Sequence, residues 1–236
     1  MLQSAIAAAA GATLASAGYQ SLAPTAQWFG RAFCRGVRDS KQIALTFDDG
    51  PNDPHTLHLL DVLARYNVHA TFFLIGRYVH RRPDIAAEIS RRGHIIGNHT
   101  FTHPLLTFRP ASSVRTEITQ CRDAIQDAVG QHSDLFRPPW GARRPAVFRI
   151  ARQLGLLPVM WNITGYDWRA PSAEFVERKV LPKIHGGDVI LLHDGGHAAF
   201  GADRAPTVAA VDRLLTPLLA EGYRFVTIPE MMGQRH

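Results

Sequence analysis

Two adjacent carboxylates, Asp48 and Asp49, stand at the end of an apolar run and directly before Gly50-Pro51. Like charges side by side repel, so a chain keeps such a pair where something compensates it: a metal ion on one, a proton or an arginine on the other. The same Asp-Asp-Gly-Pro stretch also serves as ordinary turn chemistry, and by itself it does not decide between the two. A second cluster, His99-Thr100-Phe101-Thr102-His103, places two histidines four residues apart. That spacing lets two imidazoles on one helical turn grip one ion. The cluster follows the short apolar piece Ile95-Ile96-Gly97, just past a strand. Asp49, His99 and His103 together form a two-histidine, one-carboxylate set suited to zinc or another divalent first-row metal. In a chain with twelve histidines such a pair also arises as surface coincidence.

Three more clusters end apolar runs in the same way. Phe136-Arg137-Pro138-Pro139-Trp140-Gly141 is a stiff turn carrying a cation and an indole. Trp161-Asn162-Ile163-Thr164-Gly165-Tyr166-Asp167-Trp168 sets a carboxylate between aromatics, and Val189-Ile190-Leu191-Leu192 runs into His193-Asp194-Gly195. Each alone reads as a turn, a core edge or a strand cap. Polar residues emerging repeatedly after apolar strands are different, because strand ends on one side of an α/β sheet or barrel converge on one site.

The elements that would position these residues follow from hydrophobic spacing. Strands are expected at Gln42–Phe47, Ala70–Ile75, His94–Gly97, Leu135–Arg137, Leu157–Trp161, Asp188–Leu192 and Arg224–Ile228. Between them, Ser113–Val129 carries Val114, Ile118, Cys121, Ile125 and Val129 at helical spacing, with Ser112 and Ser113 as candidate caps. Pro145 opens a further helix and Gly155 closes it. Alternating strand and helix implies parallel strands with right-handed crossovers, and so a closed or nearly closed α/β barrel.

With five clusters in this order, the chain resembles the polysaccharide deacetylase family, the carbohydrate esterases that remove N-acetyl groups from chitin-like and peptidoglycan sugars. The resemblance runs from Lys41 to Pro229 through Thr-Phe-Asp-Asp-Gly, His-Thr-x-x-His, Arg-Pro-Pro-Trp-Gly, a variant of Asp-x-x-Asp-Trp, and Leu-x-His. In the fourth, Thr164 stands at the first Asp position while Asp167 and Trp168 are kept. The resemblance implies a distorted (β/α) barrel of about seven mostly parallel strands. It implies a metal, zinc by ligand type with cobalt or nickel also fitting, on Asp49, His99 and His103. Asp48 would be the general base, with Arg137 keeping it ionised and oriented. The backbone N–H at Trp140 would stabilise the oxyanion. His193 would protonate the leaving amine with Asp167 behind it, and Trp168 and Leu191 would wall a slot for the acetyl methyl. Thr164 bears on sugar positioning and hence on substrate identity. For His197, His94 and His55 a surface or core hydrogen bond is the expected role.

Composition fits one enzyme-sized catalytic domain over residues 39–236, after an N-terminal segment and lead-in over residues 1–38. The 236-residue chain is 46% hydrophobic and can bury a substantial core. Its net charge of +6 invites a polyanion reading. The cations are spread, as in Arg81-Arg82, Arg91-Arg92 and Arg143-Arg144, so a solvated surface is expected, with no nucleic-acid partner and with anionic envelope polymers second. Two cysteines, Cys34 and Cys121, define no disulfide scaffold. The Ala-rich run from Ala5 to Ala17 ends in a small-x-small pattern but lacks a basic flank. Signal peptide, membrane anchor and soluble helix stand side by side. Arg31, Arg35 and Arg38 would place an anchored domain in the cytoplasm, whereas the substrate argues for the cell envelope or secretion. The leading activity is N-deacetylation of an N-acetylated glycan. O-acetyl xylan or a cyclic amide or imide on the same site, and a catalytically silent glycan-binding module, are the alternatives.

Overall fold

The computed structural model describes Ser16 and residues 18–233. The rest of the apolar run Ala5–Ala17, on which the signal or anchor reading falls, lies outside the described residues. Among those described, no helix is long and apolar enough to cross a membrane.

Strand β1 (Gln42–Gly50) is buried along nearly its whole length, as a central parallel strand covered on both faces must be. Chain order then gives helix α1 (His55–Arg65), strand β2 (Thr71–Leu74), helices α2 (Gly76–Arg81) and α3 (Pro83–Arg91), strand β3 (Ile95–Asn98) and helix α4 (Ala111–Val129). Strand β4 (Leu135–Phe136), helix α5 (Pro145–Gln153) and the short strands β5 (Leu157–Pro158) and β6 (Ile163–Thr164) follow. Helix α6 (Ala173–Val180), strand β7 (Asp188–His193), helix α7 (Ala205–Ala220), strand β8 (Arg224–Phe225) and helix α8 (Ile228–Met231) complete the fold. The sheet runs β5-β4-β3-β2-β1-β7-β6, with β8 beside the start of β1, and every ladder is parallel. Its ends, β5 and β6, are not paired, so the sheet is a curled, open barrel, in agreement with the expected distorted (β/α) barrel. The lead-in joins it: Phe33 bridges Val159 and Arg35 bridges Asp188.

The period-two alternation of the strands decides which residues can do chemistry. Ile43, Leu45 and Phe47 of β1, with Ile190 and Leu192 of β7, pack under the surrounding helices. Ala44, Val189, Leu191 and Phe73 of β2 belong to the other core, inside the barrel. Continuing that inner row brings Thr46 and Asp48 on β1 and His193 on β7 to the pocket side. The fully buried Arg137 reaches this row at Thr46 and Asp48.

Four local expectations are corrected. Strand β1 runs on through Asp48 and Asp49, so the carboxylates lie on the strand end rather than in the turn after it. The Leu157–Trp161 strand is cut to its first two residues, and the following pairing is made instead by Ile163–Thr164 against β7. Helix α4 begins at Ala111 after Pro110 with no side-chain cap, so Ser112 and Ser113 lie inside it. The stretch from His99 to His103 is an irregular loop with Thr100 at φ 68° and His103 at φ 61°, not a helical turn.

Candidate active site

All the candidate residues gather at the carboxyl ends of the strands, around a cavity of about 420 Å³. Asp48, Asp49, His99, His103, Trp140, Trp168, Leu191 and His193 line it, while Arg137 and Asp167 stand behind the wall. Strict alternation would send Asp48 and Asp49 to opposite faces of β1. A register shift between Asp48 and Gly50, with Asp49 at φ 74°, breaks the alternation. Both carboxylates therefore face one histidine: His99 Nε2 lies 3.6 Å from Asp48 Oδ2 and 3.6 Å from Asp49 Oδ1.

The loop after β3 presents the two histidines without helical geometry because it is held at several points. Asn98 Oδ1 accepts the Thr100 N–H at 3.0 Å, and Thr100 Oγ1 accepts the His103 N–H at 3.1 Å. From α4, the Glu117 carboxylate accepts the Phe101 N–H (3.0 Å), the Thr102 N–H (2.8 Å) and the Thr102 hydroxyl (2.6 Å). His99 Nδ1 lies 2.8 Å from the Arg137 carbonyl, which fixes that nitrogen as the donor and turns Nε2 inward. His103 Nε2 lies 3.2 Å from Asp49 Oδ1. Burial, then the neighbouring His99, push the His103 imidazole down to about 3. Burial alone would raise the Asp49 carboxyl, but the hydrogen bond from His197 and the facing His103, His193 and His99 hold it well below the usual carboxylate range.

This arrangement fits a cation. One ligand atom each from Asp49, His99 and His103 lie within 4.8 Å of one another, all three residues being buried. Asp49 Oδ1 is buried and accepts no hydrogen bond. Two imidazole nitrogens and a carboxylate oxygen converging in a buried site make a donor set for which a cation is the natural partner.

Asp48 is committed elsewhere. Arg137 Nη1 donates to its Oδ1 at 2.7 Å and to Thr46 Oγ1 at 2.9 Å, and Arg137 Nη2 and Nε donate to the carbonyls of Met160 (3.1 Å) and Val159 (3.3 Å). The guanidinium also lies over the Phe73 ring, 4.1 Å from its centroid. Those contacts leave Asp48 Oδ2 as the oxygen that faces the pocket. Across the cavity, Asp167 accepts from His193 Nδ1 (2.9 Å), the His193 N–H (2.7 Å) and the Thr207 hydroxyl (2.9 Å). Burial opposes charge on His193, yet the charge and hydrogen bond of Asp167, helped by Asp49 and Asp48, raise it to about 9. Thr164 makes no such contact; its hydroxyl accepts the Tyr166 N–H at 3.5 Å.

The aromatic walls come from strained turns. Trp140 sits at φ 54° with its ring 4.4 Å from that of His103. Gly141 follows at φ 65°, where a Cβ would lie 2.8 Å from the Trp161 ring. Trp168 packs edge-on to His193 at 5.2 Å.

His197, for which a surface or core hydrogen bond is expected from sequence, belongs to this pocket. Its N–H donates to Asp49 Oδ2 at 3.2 Å, and its ring stacks on His103 at 4.8 Å. Tyr78 and Arg77 on α2 pin the His197 carbonyl. Gly195 and Gly196, which follow Asp194, mark a loop here, but nothing local shows that it folds back over Asp49. Glu117, Thr46 and Thr207 were likewise missed, since each partner is distant in sequence. His94, with its Nδ1 accepting the Ala70 N–H at 3.1 Å, and His55, 3.4 Å from Asp203, do not line the cavity. Cys34 and Cys121 are both free thiols.

Comparison with known proteins is consistent with this geometry. The polysaccharide deacetylase family model matches residues 35–159. The chain is 38% identical over 200 residues to a peptidoglycan-N-acetylglucosamine deacetylase of Bacillus cereus, covering 84% of this chain and 91% of that one. It is 34% identical over 198 residues to a chitooligosaccharide deacetylase of Rhizobium leguminosarum bv. trifolii, covering 81% and 92%. The solved structure of a peptidoglycan N-acetylglucosamine deacetylase in complex with 4-naphthalen-1-yl-N-oxidanyl-benzamide aligns with a TM-score of 0.80 at 34% identity, covering 86% of this chain and 93% of that one.

Proposed function

The chain belongs to the polysaccharide deacetylase family, and from that premise we propose that it hydrolyses the acetamide of N-acetylhexosamine units in a polysaccharide or oligosaccharide, releasing acetate and leaving a free amine. The observation that carries this reading is the placement of three separate devices around one cavity: the cation site, the Arg137-held carboxylate and the Asp167-held imidazole.

Asp49, His99 and His103 would hold a divalent cation, zinc on the nitrogen and oxygen donor set, with cobalt or nickel able to replace it. When bound, such an ion supplies Lewis-acid polarisation of the amide carbonyl and activation of water. Asp48 Oδ2, left free by the Arg137 contact on Oδ1, takes the proton of the attacking water. The Trp140 N–H is the backbone donor assigned to the tetrahedral oxyanion. His193, bound to Asp167 through Nδ1, presents Nε2 to the pocket and gives its proton to the departing amine. Without that proton the leaving group would be an amide anion. Trp168 and Leu191 close the slot for the acetyl methyl. The reading places the enzyme where such glycans are found, in the cell envelope or outside the cell.

The test is acetate release from peptidoglycan, N-acetylated chitooligosaccharides and acetyl-xylan, each with and without a chelator. Chelator-sensitive release from either N-acetylated glycan supports the proposal. Release from acetyl-xylan alone, or from none of the three, would overturn it.

A further inference from the structure

Of the pair Arg143-Arg144, expected from sequence to face solvent, Arg143 is fully buried. Backbone carbonyls meet its guanidinium. Nη2 donates to the carbonyls of Ala23 (2.6 Å) and Ala26 (2.8 Å), and Nη1 donates to those of Gly141 (2.9 Å) and Ser21 (3.5 Å). The Arg143 N–H also donates to the Ser21 carbonyl, at 3.0 Å. A buried guanidinium is costly unless its donors are occupied, so these carbonyls are what make the position tenable. One side chain thereby joins two segments far apart in the chain, the lead-in and the Pro139–Gly141 turn.

That turn carries the Trp140 N–H, and it is strained, with Trp140 at φ 54° and Gly141 at φ 65°. Two short bonds close it, from the Gly141 N–H to the Pro138 carbonyl (2.9 Å) and from the Ala142 N–H to that of Pro139 (3.0 Å). Strain of this kind persists where the surroundings over-determine the backbone. The Gly141 carbonyl, one residue beyond Trp140, is the point that Arg143 grips. The other end of the staple is itself fixed. Gln27 accepts the Ala32 N–H at 2.7 Å and donates to its carbonyl at 3.2 Å. Gly30, at φ 124°, lies against α5, where a Cβ would stand 3.3 Å from the Phe148 ring. Phe33 then adds to the end of β5, donating to the Pro158 carbonyl (2.9 Å) and accepting the Met160 N–H (2.7 Å). Ser21, Ala23 and Ala26 precede the residues 35–159 that the family model matches, and Arg143 stands outside the five motifs.

We propose that Arg143 is a positioning residue for the oxyanion donor: it holds the Trp140 turn against the lead-in, so that residues 21–26 are a working part of the catalytic domain rather than a tether. Moving the turn by a fraction of a bond length would misdirect the Trp140 N–H without touching a cation ligand, Asp48 or His193. This inference rests on the deacetylase reading for the role of the Trp140 N–H, whereas the link between the two segments is independent of it.

Amide hydrogen exchange and steady-state kinetics on the full zinc-loaded chain test it. In Arg143→Met, exchange at residues 18–30 and at residues 140–142 should quicken by about tenfold or more, while residues 95–103 keep the wild-type rate. On N-acetylated chitohexaose kcat should fall by about 10- to 100-fold with KM within about twofold and zinc content unchanged, the pattern of a contact made in the transition state. Arg143→Lys keeps three donors but loses the planar fork, so it should fall between wild type and Arg143→Met in both measurements. Faster exchange in the lead-in alone, a loss confined to KM, or wild-type kinetics in Arg143→Met overturns the proposal. If Arg143→Met does not fold, Arg143→Lys decides: slower turnover with faster exchange at residues 140–142 supports the proposal, and wild-type values for both overturn it. Absence of acetate release by the wild type counts against the deacetylase reading, whereas the exchange result alone judges the staple.

Discussion

Asp49 with His103 on one wall of the pocket and Asp167 with His193 on the other use the same two residue types. Both carboxylates belong to residues only 3% exposed, and the paired atoms lie 3.2 Å and 2.9 Å apart. Yet the two imidazoles are driven in opposite directions, His103 down to about 3 and His193 up to about 9. The difference lies in the remaining partners. Asp167 is filled by three protein donors, which hold its charge in place behind His193. Asp49 keeps one buried oxygen without a donor, and His103 has a second histidine, His99, beside it. A residue pair does not define its chemistry; what fills the other lone pairs does.

The largest effect should come from emptying the unfilled side. His99→Ala leaves two protein ligands, too few to retain an ion at neutral pH. Zinc content measured after dialysis should fall to background, and turnover should drop by more than about 100-fold, beyond the range of changes at residues that only orient the ligands. Stoichiometric zinc in this variant would mean that the three residues do not share an ion.

A carboxylate without metal duty should behave differently. Asp48→Asn removes proton transfer and should lower turnover by ~10²–10⁴-fold while metal content stays near that of the wild type. It also leaves the buried Arg137 without its counter-charge, so a lower Tm is expected on the same sample. Lost metal with an unchanged Tm would reverse the roles of the two aspartates.

The loop that carries His103 offers a gentler lever. Glu117→Ala removes three hydrogen bonds from Phe101 and Thr102 while touching no ligand. Zinc affinity should weaken by about 10- to 100-fold, as for other residues that orient ligands. An affinity equal to that of the wild type would show that Asn98 and Thr100 hold the loop unaided.

These residues mark how far the sequence could be read. Strand ends, their order and the inward placing of Asp48, Leu191 and His193 follow from apolar runs and period-two alternation, because both are local. What turned Asp49 toward the pocket is a register shift that depends on β2, and no residue pattern within β1 announces it. The His99–His103 loop carries no glycine, although two of its residues take positive φ. Its conformation is held by Glu117, over a turn of chain away on α4. Strand β6 has only two residues, fewer than any periodicity can register. His197 is reached through a loop pinned by α2, a contact across 118 residues or more. Local chemistry was legible; long-range hydrogen bonds were not.

The smallest effects lie on the filled side, in the position of a pH limb rather than in the size of a rate. His193 must carry a proton to act as a donor, so the rate should fall as pH rises through about 9. Burial pulls that imidazole down and Asp167 is what chiefly holds it up, so Asp167→Asn should move the alkaline limb to lower pH. The same shift acts on folding. A histidine whose folded-state value is raised from 6.5 to about 9 contributes stability fully below the lower value, and loses it as pH rises through the upper one. In Asp167→Asn the fall in Tm across that window should flatten. Thr164→Ala, which removes only an acceptor for the Tyr166 N–H, should shift neither the limb nor the window. A limb that follows Thr164 and ignores Asp167 would place the controlling group outside this histidine, and the two walls of the pocket would no longer differ in the way described.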